Sequence, residues 1–181
     1  MKRIFSKGLI AVLVFSLLAA VVPTMAFGAA AGVVIDNCDT KKNFAARLKP
    51  EVDTKDKKEG KACIKATHSG ASEYFQIVFP AKDTKVTEKT GKLEFWLYVS
   101  DFSKFDTEGQ IEISSSGASD KDEYNWVLPK LKLKNGWNKL ILPFSKAGKM
   151  GKPNLKAINY FRLYQFTKGD VTLKIDNIVV K

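Results

Sequence analysis

The residues of this sequence that could do chemistry alternate along short apolar strands. Between Leu93 and Ser100, Leu93, Phe95, Leu97 and Val99 make one wholly apolar face; Glu94, Trp96, Tyr98 and Ser100 make the other. Ile111 and Ile113 alternate with Gln110, Glu112 and Ser114, and Phe161 and Leu163 alternate with Tyr160, Arg162 and Tyr164. If these strands lie side by side, Trp96, Tyr98, Glu112, Arg162 and Tyr164 share one outward face with Gln76. Such a set suits a sugar, because flat rings stack on the C–H face of a pyranose and Arg, Glu and Gln bind its hydroxyls in fixed directions. Arg162 and Arg47 are the only arginines after Arg3. The planar fork of Arg162 suits a uronate carboxylate or paired hydroxyls better than a lysine would. The alternative is that a loop covers this face and leaves Trp96 buried.

Catalysis has fewer candidates. A small sandwich could use paired carboxylates, and Glu112, Asp120, Asp122 and Glu123 are the ones available. Asp120 to Glu123 follows a Ser- and Gly-rich stretch of loop composition. Glu112 is followed by Ile113 and Ser114, so no pair of glutamates flanks an aspartate on one strand. The single histidine, His68, lies beside Ser69 and Gly70 with no nucleophile elbow around it. Phosphate-loop, dinucleotide and zinc spacings are absent. The expectation is a protein that is not an enzyme.

The elements that position these residues are strands. Further runs occur at Val33–Ile35, Ala62–Ala66, Tyr74–Phe79, Tyr124–Leu128, Lys139–Leu142 and Val171–Val180. A turn at Asn135-Gly136 separates Leu131 and Leu133 from the run at Lys139, and Leu155 to Ile158 could hold a short helical turn. Period-two alternation in so many runs predicts an all-β fold, an antiparallel two-sheet β-sandwich or jelly roll. Phe75, Ile77, Phe95, Leu97, Ile111, Ile113, Phe161 and Leu163 should lie between the sheets. Trp126 reads as core and Trp137 as a plug at one end of the sandwich. The charged stretch Asp53 to Lys61 reads as a solvated loop.

At the N-terminus, Lys2, Arg3 and Lys7 precede an apolar run from Leu9 to Val22 broken only by Ser16. Small residues at Ala26, Gly28, Ala29, Ala30 and Ala31 follow, as in a secretory signal peptide. The run is short of the roughly 20 residues that a membrane span needs; a single N-terminal anchor is the alternative. Residues 1–31 are therefore expected to be removed, with cleavage between 26 and 31, leaving 32–181 as one β-sandwich domain. The product should be secreted, extracellular or on the cell surface, with no membrane contact once the signal is gone, and monomeric. Three of the 30 basic residues and none of the 19 acidic ones fall in residues 1–31, so the remainder carries +8. Scarce arginine and export speak against nucleic acid. A positive field favours an anionic partner, although scattered lysines also serve solubility. Cys38 and Cys63 are an even pair in an exported chain, compatible with a disulfide or with two buried thiols; the bridge is the expectation.

Several segments together resemble a known family. They are Leu93 to Asp101, Ile111 to Gly117 with Asp120 and Glu123 to Trp126, Leu133 to Leu140, Ile158 to Tyr164 and Lys174 to Ile178. Over nearly all of the chain from Val34 onward, the sequence resembles the galactose-binding-domain-like jelly rolls that serve bacterial extracellular proteins as carbohydrate-binding modules. The resemblance implies a module that binds a polysaccharide or cell-wall glycan without catalysis. It also implies a structural calcium (Ca2+) between the first and last strands, at Asp36 and Asp176 with carbonyls from Glu59–Gly60; the alternative is that both are ordinary turn and edge residues. The charge and Arg162 tilt the glycan toward an acidic one. A structural or adhesive surface protein that binds a protein or cell-wall partner is the second reading.

Overall fold

The computed structural model describes residues 32–181; the expected signal peptide at 1–31 and its cleavage site lie outside the described residues. The described strands are β1 (Val33–Asp36), β2 (Glu51–Asp53), β3 (Cys63–Lys82), β4 (Lys92–Val99), β5 (Phe105–Ser114), β6 (Glu123–Val127), β7 (Gly136–Pro143), β8 (Gly148–Met150) and β9 (Ile158–Val180). Every pairing among them is antiparallel.

Two strands decide the architecture. β3 and β9 are long enough to belong to both sheets, and they pair with each other from Ile64↔Ile175 to Lys82↔Ile158. The first half of β3 and the second half of β9 lie in one sheet with β2, β4, β7 and the end-paired β1. The other halves lie in a second sheet with β5, β6 and β8. The crossing shows as a register shift between His68 and Gly70. Gly70 (φ 77°) and Gly169 (φ 105°) mark the bend in the two strands. Only glycine reaches such angles without strain, and it lets an extended chain turn a corner while staying paired.

This is where the strand pattern misled. The runs at Ala62–Ala66 and Tyr74–Phe79 are one strand, as are Tyr160–Phe166 and Val171–Val180. Leu131 to Leu133 is not a strand; it is held by short turns, Leu131 N–H to Leu128 O (3.0 Å) and Leu133 N–H to Leu131 O (2.8 Å). The segment before Ile158 is a turn closed by Ala157 N–H on Asn154 O at 3.0 Å.

All eight residues expected between the sheets are fully buried. The rings of Phe95 on β4 and Phe161 on β9 meet edge to face at 5.8 Å, which stacks one sheet on the other. Trp126 joins the core with Tyr124 and Phe144. Each such side chain withdrawn from water contributes about 1.5–3 kcal/mol. The two outer faces therefore point away from each other. Among the described residues no helix is long and apolar enough to cross a membrane.

Candidate functional site

The outer face of the second sheet gathers charge on three neighbouring strands. Glu112 on β5 and Gln76 on β3 are the cross-strand partners of Arg162 on β9. Arg162 grips Glu112 with two hydrogen bonds, Nε to Oε2 at 2.8 Å and Nη2 to Oε1 at 2.6 Å. It reaches Glu73 at 3.3 Å and Asp120 at 3.4 Å. Its guanidinium carbon lies 4.8 Å from the centre of the Tyr164 ring. Arg47 closes the group from outside, donating to Glu73 Oε2 at 2.6 Å and to the Gln76 amide oxygen.

Glu112 is wholly shielded from water. Burial pushes its carboxyl up to about 7, against the pull of Arg162, and nearby Glu123 and Asp120 push the same way. Beside this pair an open pocket of about 420 Å³ is lined by Glu73, Glu108, Arg162, Tyr164 and Phe166. Two hydrogen-bonding carboxylates and two aromatic rings thus face solvent around a guanidinium that is already neutralised.

Glu73 was not legible from alternation. A bulge between Glu73 and Phe75 sets Glu73 opposite Tyr164 and Phe75 opposite Leu163, so Tyr74 and Phe75 are both buried and Glu73 turns outward. Glu112, Asp120 and Glu123 each bring one carboxylate oxygen within 4.8 Å of the others. Arg162 already supplies the cation there. Glu123 is buried and accepts from Asp120 N–H at 2.8 Å.

Trp96 and Tyr98 are not part of this site. β4 pairs with β7 and with the second half of β9, so Trp96 faces Asp176 and Lys139, and Tyr98 faces Lys174 and Trp137. The two rings lie on the outer face of the first sheet, away from Glu112, Arg162 and Tyr164, because β9 changes sheets between Tyr164 and Val171. The loop after β2 reaches over them. Trp96 Nε1 donates to Glu59 Oε1 at 2.9 Å, Trp137 Nε1 donates to Asp56 Oδ1 at 2.9 Å, and Lys58 Nζ stands over both indoles. Lys174 lies 4.9 Å from the Tyr98 ring and is bonded to Asp53 and Asp56 at 2.8 and 2.6 Å. The loop read as solvated is in part a cover, and Trp96 is half-buried beneath it.

The expected calcium finds a poor fit. Asp36 accepts from Cys38 N–H at 2.7 Å and from the Asn43 amide at 2.8 Å, one bond on each oxygen. Asp176 Oδ2 accepts from Lys58 and Glu59 N–H at 2.7 and 2.9 Å, and only the buried Oδ1 lacks a partner. N–H donors thus point at three of these four carboxylate oxygens, where calcium would need oxygens turned to the ion. Asp36 and Asp176 as placed do not fit a calcium bridge.

The cysteines are a second correction. Cys38 and Cys63 are separate buried thiols. Cys38 Sγ turns to Asp36 O at 3.8 Å and Cys63 Sγ to Asp56 O at 3.2 Å. Burial pushes both thiols up, Cys63 to about 12, so neither offers a reactive thiolate.

No protein-family model matches the chain, and no curated protein sequence does. Solved structures do. A family 11 carbohydrate-binding module of a cellulosomal cellulase from Clostridium thermocellum superposes with a TM-score of 0.55 at 13% identity, over 82% of this chain and 92% of that one. A family 11 module from the same organism, in complex with a β-1,3-1,4-mixed-linked tetrasaccharide, gives 0.53 at 15% identity over 82% and 95%. The family 30 module of another of its cellulosomal cellulases gives 0.53 at 12% identity over 83% and 90%. At these identities the likeness is one of fold, and the chain has the β-sandwich jelly-roll fold of carbohydrate-binding modules.

Proposed function

We propose that the domain is exported and binds a neutral polysaccharide on the outer face of the second sheet, without catalysis. The observation that carries this reading is the bidentate Arg162–Glu112 pair beside the Tyr164 ring, at the wall of an open 420 Å³ pocket. A guanidinium fixed by a buried carboxylate holds Glu73 and Asp120 in set directions around it, and the ring offers a stacking surface. Glu73 and Glu108 supply acceptors for sugar hydroxyls. They also favour a neutral ligand over an acidic one, since Glu112 already neutralises Arg162 and the remaining lining charge is negative. Of the three clustered carboxylates, Glu112 and Glu123 are buried and hydrogen-bonded and Asp120 reaches Arg162, which supports binding without turnover.

A β-glucan of mixed linkage is the first ligand to test, because a module of this fold has been seen with such a tetrasaccharide. Affinity electrophoresis against soluble neutral glucans should retard the domain, and Tyr164→Ala and Glu73→Ala should each abolish most of that retardation. Equal retardation of both variants and the wild type would move the site elsewhere. Absence of binding to every neutral glycan would favour a structural or adhesive role.

A further inference from the structure

We propose that the groove along the free edge of β7 is a second binding site, for a linear anionic polysaccharide. β7 pairs with β4 alone and so closes its sheet with an open side. Two cavities of about 510 and about 420 Å³ adjoin there and share Leu131, Ile141 and Leu142. The larger opens on Trp96 and Trp137 and is lined by Lys132, Lys134 and Lys139. The smaller lies toward β6 and β8, against Trp126 and Pro143, and adds Lys130 and Lys146. No aspartate or glutamate is among the residues lining either cavity.

The two sites differ in the charge of the residues that line them. Glu73 and Glu108 line the pocket beside Arg162, whereas five lysines and no acid line the groove along β7. Among the described residues, the ion pairs reach Lys139, through Glu59 at 3.5 Å, but none of the other four lysines. Uncompensated cations over an apolar floor attract an anion more strongly than the same charges spread in water. The eight residues of β7 span about 26 Å at the usual rise per strand residue, room for several sugar rings in a row.

The aromatic rings give the groove its carbohydrate character. Trp96 and Trp137 are held rigid by Glu59 and Asp56 on their N–H groups and by Lys58 over both rings, and the indole surface that still lines the groove suits the C–H face of a charged sugar. The lysines act as point charges for carboxylates spaced along a flexible chain. The bidentate arginine that reads bases and phosphates is absent from the groove.

The test is affinity electrophoresis of the full chain in polygalacturonate, at low and at moderate salt. The wild type should be retarded. The double variant Lys132→Glu/Lys134→Glu should bind at least tenfold more weakly, and Trp137→Ala should weaken binding at both salt concentrations. Two controls separate a site from diffuse charge. Lys41→Glu/Lys42→Glu makes the same change in net charge on another exposed loop and should bind as the wild type does. Tyr164→Ala should lose neutral glucan and keep polygalacturonate, so that either reading can fail without the other. Equal weakening by both charge reversals, no binding to polygalacturonate, or tighter binding to an oligonucleotide of equal charge would each overturn the proposal. Circular dichroism of each variant confirms that the sheets are intact.

Discussion

Glu112 and Arg162 face each other on adjacent strands and share two hydrogen bonds, at 2.6 and 2.8 Å, with Glu112 shut off from water. A pair of this kind fixes the direction of the guanidinium at the edge of the pocket. It also ties the stability of the second sheet to the state of one carboxylate.

Removing Glu112 should therefore cost more than the loss of a surface charge. Glu112→Ala leaves the guanidinium with only the longer contacts to Glu73 and Asp120. Breaking a buried pair costs about 3–5 kcal/mol, and this case should fall near the low end. Replacing both partners together, as Glu112→Leu with Arg162→Met, should recover most of the loss while abolishing glucan binding. Urea unfolding at pH 8 gives the comparison; a double variant no more stable than Glu112→Ala would contradict it.

Proton binding at Glu112 should be visible in the same measurement. Burial holds its carboxyl up at about 7 in the folded chain, against the ordinary 4.5. A raised group stabilises the fold fully below its unfolded value and loses that contribution as pH rises through the folded one. At about 1.4 kcal/mol per unit, the loss between pH 4.5 and 7 is up to about 3 kcal/mol. His68, lowered by burial, works in the opposite sense in part of this window. The difference between wild type and Glu112→Gln isolates the glutamate and should decline from pH 5 to pH 8; a flat difference would mean that Glu112 is ionised throughout.

The two cysteines should react only when the fold opens. Both are buried with their thiols pushed up, Cys63 to about 12. Alkylation without reductant should add nothing to the native domain and two groups to the domain in denaturant. Two groups added only after reduction would establish a disulfide.

Asp176 carries a buried oxygen without a partner, and burial raises its carboxyl. Asp176→Asn keeps the shape and removes the charge, so at pH 8 in chelator it should raise stability by about 1 kcal/mol or more. Added calcium should leave both melting temperatures unchanged, because each Asp36 oxygen already faces an N–H donor. A calcium-dependent rise in the wild type that Asp176→Asn abolishes would restore the pair as a metal site.

How much of this was legible in the chain follows from the range of each signal. Alternation is local, one residue to the next, and it assigned the inward faces correctly: Phe75, Ile77, Phe95, Leu97, Ile111, Ile113, Phe161 and Leu163 are all buried. Of the outward set, Trp96, Tyr98, Arg162 and Tyr164 keep some exposure while their neighbours in sequence are buried, but Glu112, read as outward with them, is fully buried against Arg162. The pairing of Glu112 with Arg162 was within reach, because both are polar positions on strands whose apolar faces match.

Tertiary structure alone decided which outward residues look the same way. The corner at Gly70 and Gly169 sends one half of β9 into each sheet, and that division parts Trp96 and Tyr98 from Arg162 and Tyr164. A bulge of one residue aims Glu73 at the pocket, where strict alternation would have buried it. Period two states which side of its own strand a residue takes, but the side of the molecule depends on strand pairings more than 100 residues apart, as between Lys65 and Lys174. Such contacts form only when the two sheets close over their shared core, and the parting of the Trp96 face from the Arg162 face is a consequence of that closure.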